Sequence, residues 1–439
     1  VSSSGPQLLG VLVVGIGLLA LAYAVIRSPE LTLCLFLVLW VATTALRDSV
    51  DLSVTLGGVR VSALDVLSTL MIIVGIARLA GHGVRPAHAL PLALLGLLVI
   101  HVLRGVEAFG FQAAVNGTRG WFYFTASLVY ASTASWSRPR RGWLLLTATG
   151  VALAAVAVPY LVAGGLHPAT RMIYRNGEWV TNRPVVATGA LLILEAAILC
   201  AALNWPSRAT AVPLAMGLGL VVLLLEHRTV WVAGAAVVVA GFASWSQRRV
   251  REAPAAVSGV TGVALLALPF VIWGFSRTSA LVSSIREATT SHSTFAWRTT
   301  SWEELIASHH SVQEILTGQG SGASWDRLVQ GQVAQQSPHN AFVDAYLRFG
   351  LPGVLVFSCL GLLLWYRRRE IAAAAGVPSS TVTLLLVAQL VFCVAYNLDG
   401  PQGFIDGILV SSLAVVGAQM AAEARVERRS RSDPMVVTT

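Results

Sequence analysis

The chain reads as all-α, a polytopic transmembrane helical bundle with one long loop outside the membrane. Three observations predict this. Of 439 residues, 55% are apolar and only 12% are charged, about half the charged share of a soluble protein, which runs at roughly 25%. Apolar runs of about 20 residues, long enough to cross a hydrocarbon core, recur along nearly the whole length. One segment, residues 276–349, breaks the pattern with five arginines, six acids and four of the nine histidines.

About 12–13 spans are expected, at 7–26, 30–46, 61–80, 89–105, 118–136, 143–163, 185–203, 211–225, 228–245, 258–275, 350–366, 380–397 and 403–420. All 30 basic residues are arginine, which keeps its charge under burial and grips phosphate with a planar fork. The short loops carrying Arg138-Pro139-Arg140-Arg141, Arg248-Arg249-Val250-Arg251 and Arg367-Arg368-Arg369 are expected on the cytoplasmic side, with the tail bearing Arg425, Arg428, Arg429 and Arg431. Alternation then places 47–60, 106–117, 164–184 and 276–349 outside. The resulting organisation is ten spans in 1–275, an external loop at 276–349, the last spans in 350–420, and a basic cytoplasmic tail at 421–439 that meets anionic lipid.

Cys34, Cys200, Cys359 and Cys393 all fall in apolar runs and read as small core residues. No Cys/His spacing or Asp/Glu cluster suggests a metal, and Gly318–Gly322 lacks the Lys-Ser/Thr that follows a nucleotide-binding loop. No cofactor and no nucleic-acid partner are expected; the membrane lipids are.

Within 276–349, Arg298, Trp302, Leu305, Ile306 and His309 share one helical stripe, and so do His339, Phe342, Tyr346 and Phe349. They predict two amphipathic helices on the outer membrane surface, joined by a Gly-rich turn at Gly318-Gln319-Gly320-Ser321-Gly322 that permits motion. Ser337 suits a helix N-cap and Pro338 the first helical position, which puts His339 in the first turn. The positive helix end there favours a neutral ring that accepts a proton; the alternative is a polar residue that merely marks a helix start.

Arg228 sits in Glu226-His227-Arg228-Thr229, a charged cluster squeezed between two apolar runs, which reads as a functional site or as a hairpin tip reaching for water. Arg298, on an apolar stripe, needs an anionic partner, supplied by a substrate or by lipid headgroups. Arg119, heading Arg119-Gly120-Trp121-Phe122-Tyr123, reads first as an interfacial anchor. Arg171, Arg175 and Arg183 enrich the 164–184 loop, as a solvated face or as an attractor of anions. Glu195, mid-span, reads as a bundle contact ahead of an ion site. Asn116-Gly117-Thr118 matches a glycosylation acceptor, a tripeptide too common to use. Several arginines beside one histidine at a lipid boundary fit a lipid diphosphate substrate. Arginines neutralise the departing diphosphate, and the histidine deprotonates the attacking hydroxyl.

These residues fall into motifs. His339-Asn340, nine residues and Gly350-x-x-Gly353 resemble the signature of the O-antigen ligase/O-antigen polymerase superfamily. Arg298-x-x-x-Trp302 followed by Gly318-x-Gly320 looks like the other half of the same region. Glu226-His227-Arg228-Thr229-x-Trp231 resembles the family's arginine at the head of a helix, with His227 where the family usually has serine. Leu56-Gly57-Gly58 with Val61 and Asp65 is similar to its early external turn. The resemblance spans about residues 50–410 and implies a GT-C-like, metal-independent, inverting glycosyltransferase. It implies a polyprenyl-diphosphate-linked glycan as donor and a glycan, lipid or protein hydroxyl as acceptor, in the inner or plasma membrane with the active site on the extracytoplasmic face. By the same resemblance His339 is the catalytic base and Arg228 and Arg298 bind diphosphate; Asn340, Trp302, Gly350, Gly353 and Arg119 support them.

Ligase-type transfer is favoured because one compact external loop is present rather than two. A polymerase of lipid-linked repeat units carries the same motifs. Two other classes stand beside these: a transporter or flippase of lipid-linked sugars, which would use Glu195 and usually internal repeats, and a non-catalytic glycan-binding scaffold.

Overall fold

The computed structural model describes residues 21–46, 50–56, 59–163, 172–175, 178–181, 183–246, 294–308, 311–323, 325–329, 332–335 and 338–432. Helix α1 (Pro29–Trp40) is capped by Ser28, has proline in its first turn and runs into a π turn over Val41–Ala45. A hairpin of β1 (Ser53–Leu56) and β2 (Val59–Ser62) leads into α2 (Ala63–His82). Ser62 and Asp65 form a reciprocal capping box at that junction. Next come α3 (Ala89–Phe109), α4 (Phe111–Thr133) and α5 (Pro139–Ala163). The expected external loop at 106–117 is absent, because only Gly110, at φ 83°, separates α3 from α4.

A second hairpin, β3 (Met172–Arg175) and β4 (Glu178–Thr181), precedes α6 (Ala187–Leu203), α7 (Arg208–Leu224) and α8 (Arg228–Ser246). Helix α6 is apolar on every side and almost entirely buried, as expected of the central helix of a bundle. Then follow α9 (Thr294–Ala307), the single turn-and-a-half of α10 (Val312–Thr317), and a hairpin of β5 (Asp326–Val329) and β6 (Gln332–Gln335). Last are α11 (Ala341–Tyr366), α12 (Arg368–Ala375), α13 (Ser379–Cys393) and α14 (Gly400–Ser432). The 276–349 segment thus holds more than two helices and a turn: a short extra helix and a hairpin lie between its two amphipathic pieces.

Among the described residues, five helices are long and apolar enough to cross a membrane, and a sixth arises if α12 and α13, bent by 118°, form one broken span. The difference from 12–13 expected spans has three sources. Four more apolar helices have only 10–17 residues, α4 carries Gln112, Asn116 and Arg119 in its first half, and the span expected at 258–275 and residues 7–20 of the one expected at 7–26 lie outside the described residues. The architecture is an all-α polytopic helical bundle.

Its tightest helix pair, α4 with α14, meets through Gly403 and Gly407. A Cβ on Gly403 would stand 3.0 Å from Ser127 Cβ, and one on Gly407 3.0 Å from Leu128 O. Small residues at this spacing let two helix backbones approach, the main source of helix association where no water is displaced. Of the cysteines, Cys200 and Cys393 are buried as expected, but Cys359 is exposed on the outer side of α11.

Candidate functional site

Helix α11 begins at Ala341, later than Ser337 and Pro338 suggested. Asn340 is its N-cap; its side-chain oxygen accepts from Phe342 N at 2.9 Å and Val343 N at 3.1 Å. His339 therefore precedes the helix instead of lying in its first turn, and Ser337 falls outside the described residues. His339 adopts φ 51°, in the left-handed region. Such a backbone costs a bulky residue roughly 1 kcal/mol or more and persists only where its surroundings hold it. Here Trp302 Nε1 donates to Pro338 O at 2.6 Å and ties the turn to α9. On α9 Leu305 is buried as its stripe predicts, whereas Ile306 is exposed, and His309 is not among the described residues.

The helix behind His339 is anchored by a buried ion pair. Asp344 accepts from Arg348 Nε at 3.0 Å and from Asn397 Nδ2 at 3.3 Å, and also from Trp121 Nε1. Arg348 donates to Gly117 O and lies 4.5 Å over the Trp325 ring. One carboxylate thus joins α11 to α4 and to the α13–α14 connection.

Helix α11 breaks at Gly350 (φ 69°, ψ −161°), so an amphipathic first piece ends where the apolar second piece begins. Gly350 lies against the backbone of α10: a Cβ there would sit 2.6 Å from Ile315 O. Gly353 is closed off the same way, 2.9 Å from Ala345 O. The Gly318–Gly322 turn is likewise a close-packed contact. A Cβ on Gly320 would stand 2.9 Å from the backbone of Arg104 and Gly105, and one on Gly322 2.9 Å from Ala113 C. Arg104 Nη1 donates to Thr317 O at 2.7 Å and Gly318 O at 2.9 Å, and the His101 ring bonds Gln319 O at 2.8 Å.

Around this frame the arginines gather. Arg298, on α9, donates to Ala395 O at 3.3 Å, and its guanidinium carbon lies 5.3 Å over the Tyr396 ring. His339 meets the same ring edge-on at a centroid distance of 5.3 Å. Tyr396 stacks in turn on Phe392 at 5.2 Å. Arg228 is the first residue of α8. Arg183, in the loop before α6, donates to Glu226 O at 2.9 Å in the α7–α8 connection and is within electrostatic reach of Tyr396 and Arg228. Burial first, and the Arg228 charge with it, lower the Arg183 pKa, against the pull of Tyr396 and Glu226. Its Nε is buried with no hydrogen-bond partner among the described residues.

His227 is buried, and its Nε2 donates to Val185 O at 2.9 Å. Burial, and then the Arg183 charge, push its pKa down to about 3 although the Val185 carbonyl opposes them. It is a neutral strut between two loops. Glu226 beside it has φ 55°. Among the described residues only Asn204, Glu226 and His339 combine a side chain with positive φ, and two of these three adjoin the arginine cluster.

The structure therefore brings together His339, Arg298 and Trp302 directly, and links Arg228 to them through Arg183 and Tyr396. Arg119 stands apart. It lies within α4 rather than at the head of a span, pairs with Asp65 at 3.4 Å, and donates to Arg60 O in the β1–β2 hairpin. Glu195 is buried in α6 and accepts from Gln389 at 3.1 Å and Gln402 at 3.4 Å, as a bundle contact should. Sequence reasoning did not single out Tyr396, and it left Arg183 as one charge among three in its loop.

Residues 213–358, about a third of the chain, match the family model described as O-Antigen ligase. The match contains Arg228, Arg298, Trp302, His339, Asn340, Gly350 and Gly353. Arg183 and Tyr396 lie outside it. No curated protein matches the chain significantly.

Proposed function

On the premise that this match supports, membership of the O-antigen ligase superfamily, we propose that this multi-pass membrane protein is an inverting glycosyltransferase. It moves a glycan from a polyprenyl diphosphate carrier to an acceptor hydroxyl on the extracytoplasmic face of the inner or plasma membrane. The observation that carries this reading is the convergence of Arg298 and His339 on one tyrosine ring, with Arg183 and Arg228 alongside.

The chemistry follows from charge. His339 takes the proton of the acceptor hydroxyl as its oxygen attacks the anomeric carbon. The anomeric carbon–oxygen bond to the diphosphate breaks, and the electron pair leaves on polyprenyl diphosphate. That leaving group gains negative charge in the transition state, where fixed cations stabilise it most. Arg183, Arg228 and Arg298 supply them, with geometry suited to phosphate oxygens. The proton ends on His339 and passes to solvent. Attack from the face opposite the diphosphate inverts the anomeric centre.

The test is transfer by purified full-length protein from a polyprenyl-diphosphate glycan to candidate acceptors, without added metal. His339→Ala should lose about 10²–10⁴-fold, as for removal of a general base. Arg228→Ala and Arg298→Ala should each lose about 10²–10³-fold, as for loss of one charge-stabilising donor. Transfer unaffected by all three, or strictly dependent on added Mg²⁺, would sink the mechanism. Elongation of the lipid-linked glycan itself would identify a polymerase, and gradient-driven uptake without transfer a transporter.

A further inference from the structure

A second basic region lies at the other ends of the helices that frame the candidate site. There the C-terminal ends of α2 and α4 and the later part of α14 enclose a cavity of about 740 Å³. Arg27, Arg78, Arg85, His82 and His88 line it, and no aspartate or glutamate occurs among its described lining residues. Arg78 is held most firmly. Its Nη2 donates to Val25 O at 3.2 Å and Ile26 O at 3.3 Å, and its guanidinium carbon lies 4.6 Å over the Tyr130 ring. Its Nη1 is buried with no hydrogen-bond partner among the described residues. Arg85 Nη1 donates to Ala414 O at 3.1 Å, which brings a second guanidinium against α14.

Two physical points turn this cavity into a site. Guanidinium groups gathered without a carboxylate repel one another, and a buried donor left unpaired is costly, so the arrangement is completed by an anion. The second point is position. From Gly400, four positions after Tyr396 in the chain, to Ala418, which lines the cavity, α14 rises about 27 Å at ~1.5 Å per residue. That nearly equals the ~30 Å hydrocarbon thickness of a bilayer, so the cavity opens at the headgroup level of the boundary opposite the candidate site. Its volume falls within the range of small-molecule sites, about 300–1,000 Å³.

We propose that this cavity binds a phosphate-bearing anion, with the headgroup of an anionic membrane lipid favoured over free phosphate as its source. The proposal does not depend on the glycosyltransferase reading.

The experiment places full-length protein in nanodiscs of phosphatidylcholine alone or mixed with phosphatidylglycerol and counts retained lipid by native mass spectrometry. Inorganic phosphate is titrated separately. Retained phosphatidylglycerol is expected, and Arg78→Gln with Arg85→Gln should weaken it about 25-fold, about fivefold per charge. Arg208→Gln, which removes an exposed charge at the head of α7 outside this cavity, should leave retention unchanged. Loss in Arg208→Gln equal to that in the double variant would reduce the effect to bulk attraction and overturn the proposal. So would retention that survives the double variant. Phosphate binding abolished by the double variant, with no lipid retained, supports the anion site with free phosphate as its source. Should the double variant fail to fold, a photoactivatable phosphatidylglycerol on the wild-type protein decides. Adducts confined to the α2 end, residues 132–139 and 411–422 support the site, and adducts spread evenly round the helices overturn it.

Discussion

Tyr396→Leu isolates what the tyrosine ring contributes to the candidate site. In the structure the ring is shared. His339 packs edge-on at 5.3 Å, Arg298 lies 5.3 Å over it, and Phe392 stacks on it at 5.2 Å. An edge-to-face aromatic pair contributes about 0.5–1.5 kcal/mol, and a partly desolvated cation–π contact about 0.5–2 kcal/mol. Leucine keeps bulk and loses both, about 1–3.5 kcal/mol together. If those contacts hold the base and the phosphate-binding arginine in register, the loss appears in kcat/KM as roughly 5- to 300-fold. Phenylalanine preserves the ring, so Tyr396→Phe should stay close to wild type. The assay is glycan transfer at limiting and saturating donor, with thermal unfolding in parallel to show that each variant is folded. A folded Tyr396→Leu protein with wild-type kcat/KM would refute the reasoning. A Tyr396→Phe protein as impaired as Tyr396→Leu would move the role from the ring to the hydroxyl near Arg183.

Four further outcomes are expected. Asp344→Asn leaves Arg348, only 12% exposed at its side chain, without its buried partner and should cost about 3–5 kcal/mol of stability in detergent; adding Arg348→Met should recover part of it, and a single-variant cost below about 1 kcal/mol counts against the anchor role. Asn340→Ala removes the cap of α11 and should cost about 1 kcal/mol, visible as faster amide exchange at Phe342 and Val343; unchanged exchange would deny the cap. His227, neutral in the folded protein down to about pH 3, becomes protonated in the unfolded chain near 6.5, so stability should be level above pH 6.5 and fall below it by up to about 1.4 kcal/mol per unit; His227→Gln keeps a donor for Val185 O and should flatten that fall, and equal slopes would exclude His227 as its source. Gly320→Val collides with the α3 backbone and should prevent folding, whereas Gly361→Ala, with nothing within 4 Å, should be neutral or stabilising by about 0.5–1 kcal/mol; thermal unfolding compares the two.

Much of the helical architecture is legible in the apolar runs, and the histidine and arginine motifs are legible as patterns. What escapes has definite causes. The start of α11 was misplaced because Ser337-Pro338 and Asn340 both satisfy the rules for a helix beginning, and only backbone geometry decides between them. The glycines of Gly318–Gly322 read as a turn that permits motion because a missing side chain serves mobility and close approach equally well; the close approach to α3 and α4 is visible only in the fold. Those helices extend through 106–117 with Glu107, Gln112 and Asn116 exposed, and a hydropathy count cannot tell an exposed polar helix from a loop. Tyr396 sits at the end of an apolar run and looks like any interfacial aromatic. Its contacts with His339 and Arg298 exist only because α9, α11 and the end of α13 converge there, a long-range fact with no local signal.

The break at Gly350 bears on how this protein would respond to its lipid environment. Membrane helices accommodate a thicker or thinner bilayer chiefly by changing tilt, at a modest cost per ångström of mismatch. Were α11 continuous from Ala341 to Tyr366, a change in tilt of its apolar part would swing the histidine at its head through several ångströms. With the helix kinked at Gly350 and that residue held against Ile315, the apolar part can lean while Ala341–Phe349 stays pinned by Asp344 to α4. Glycan transfer should then vary little between short-chain and long-chain lipids, and a variant that straightens the break would make it depend on bilayer thickness.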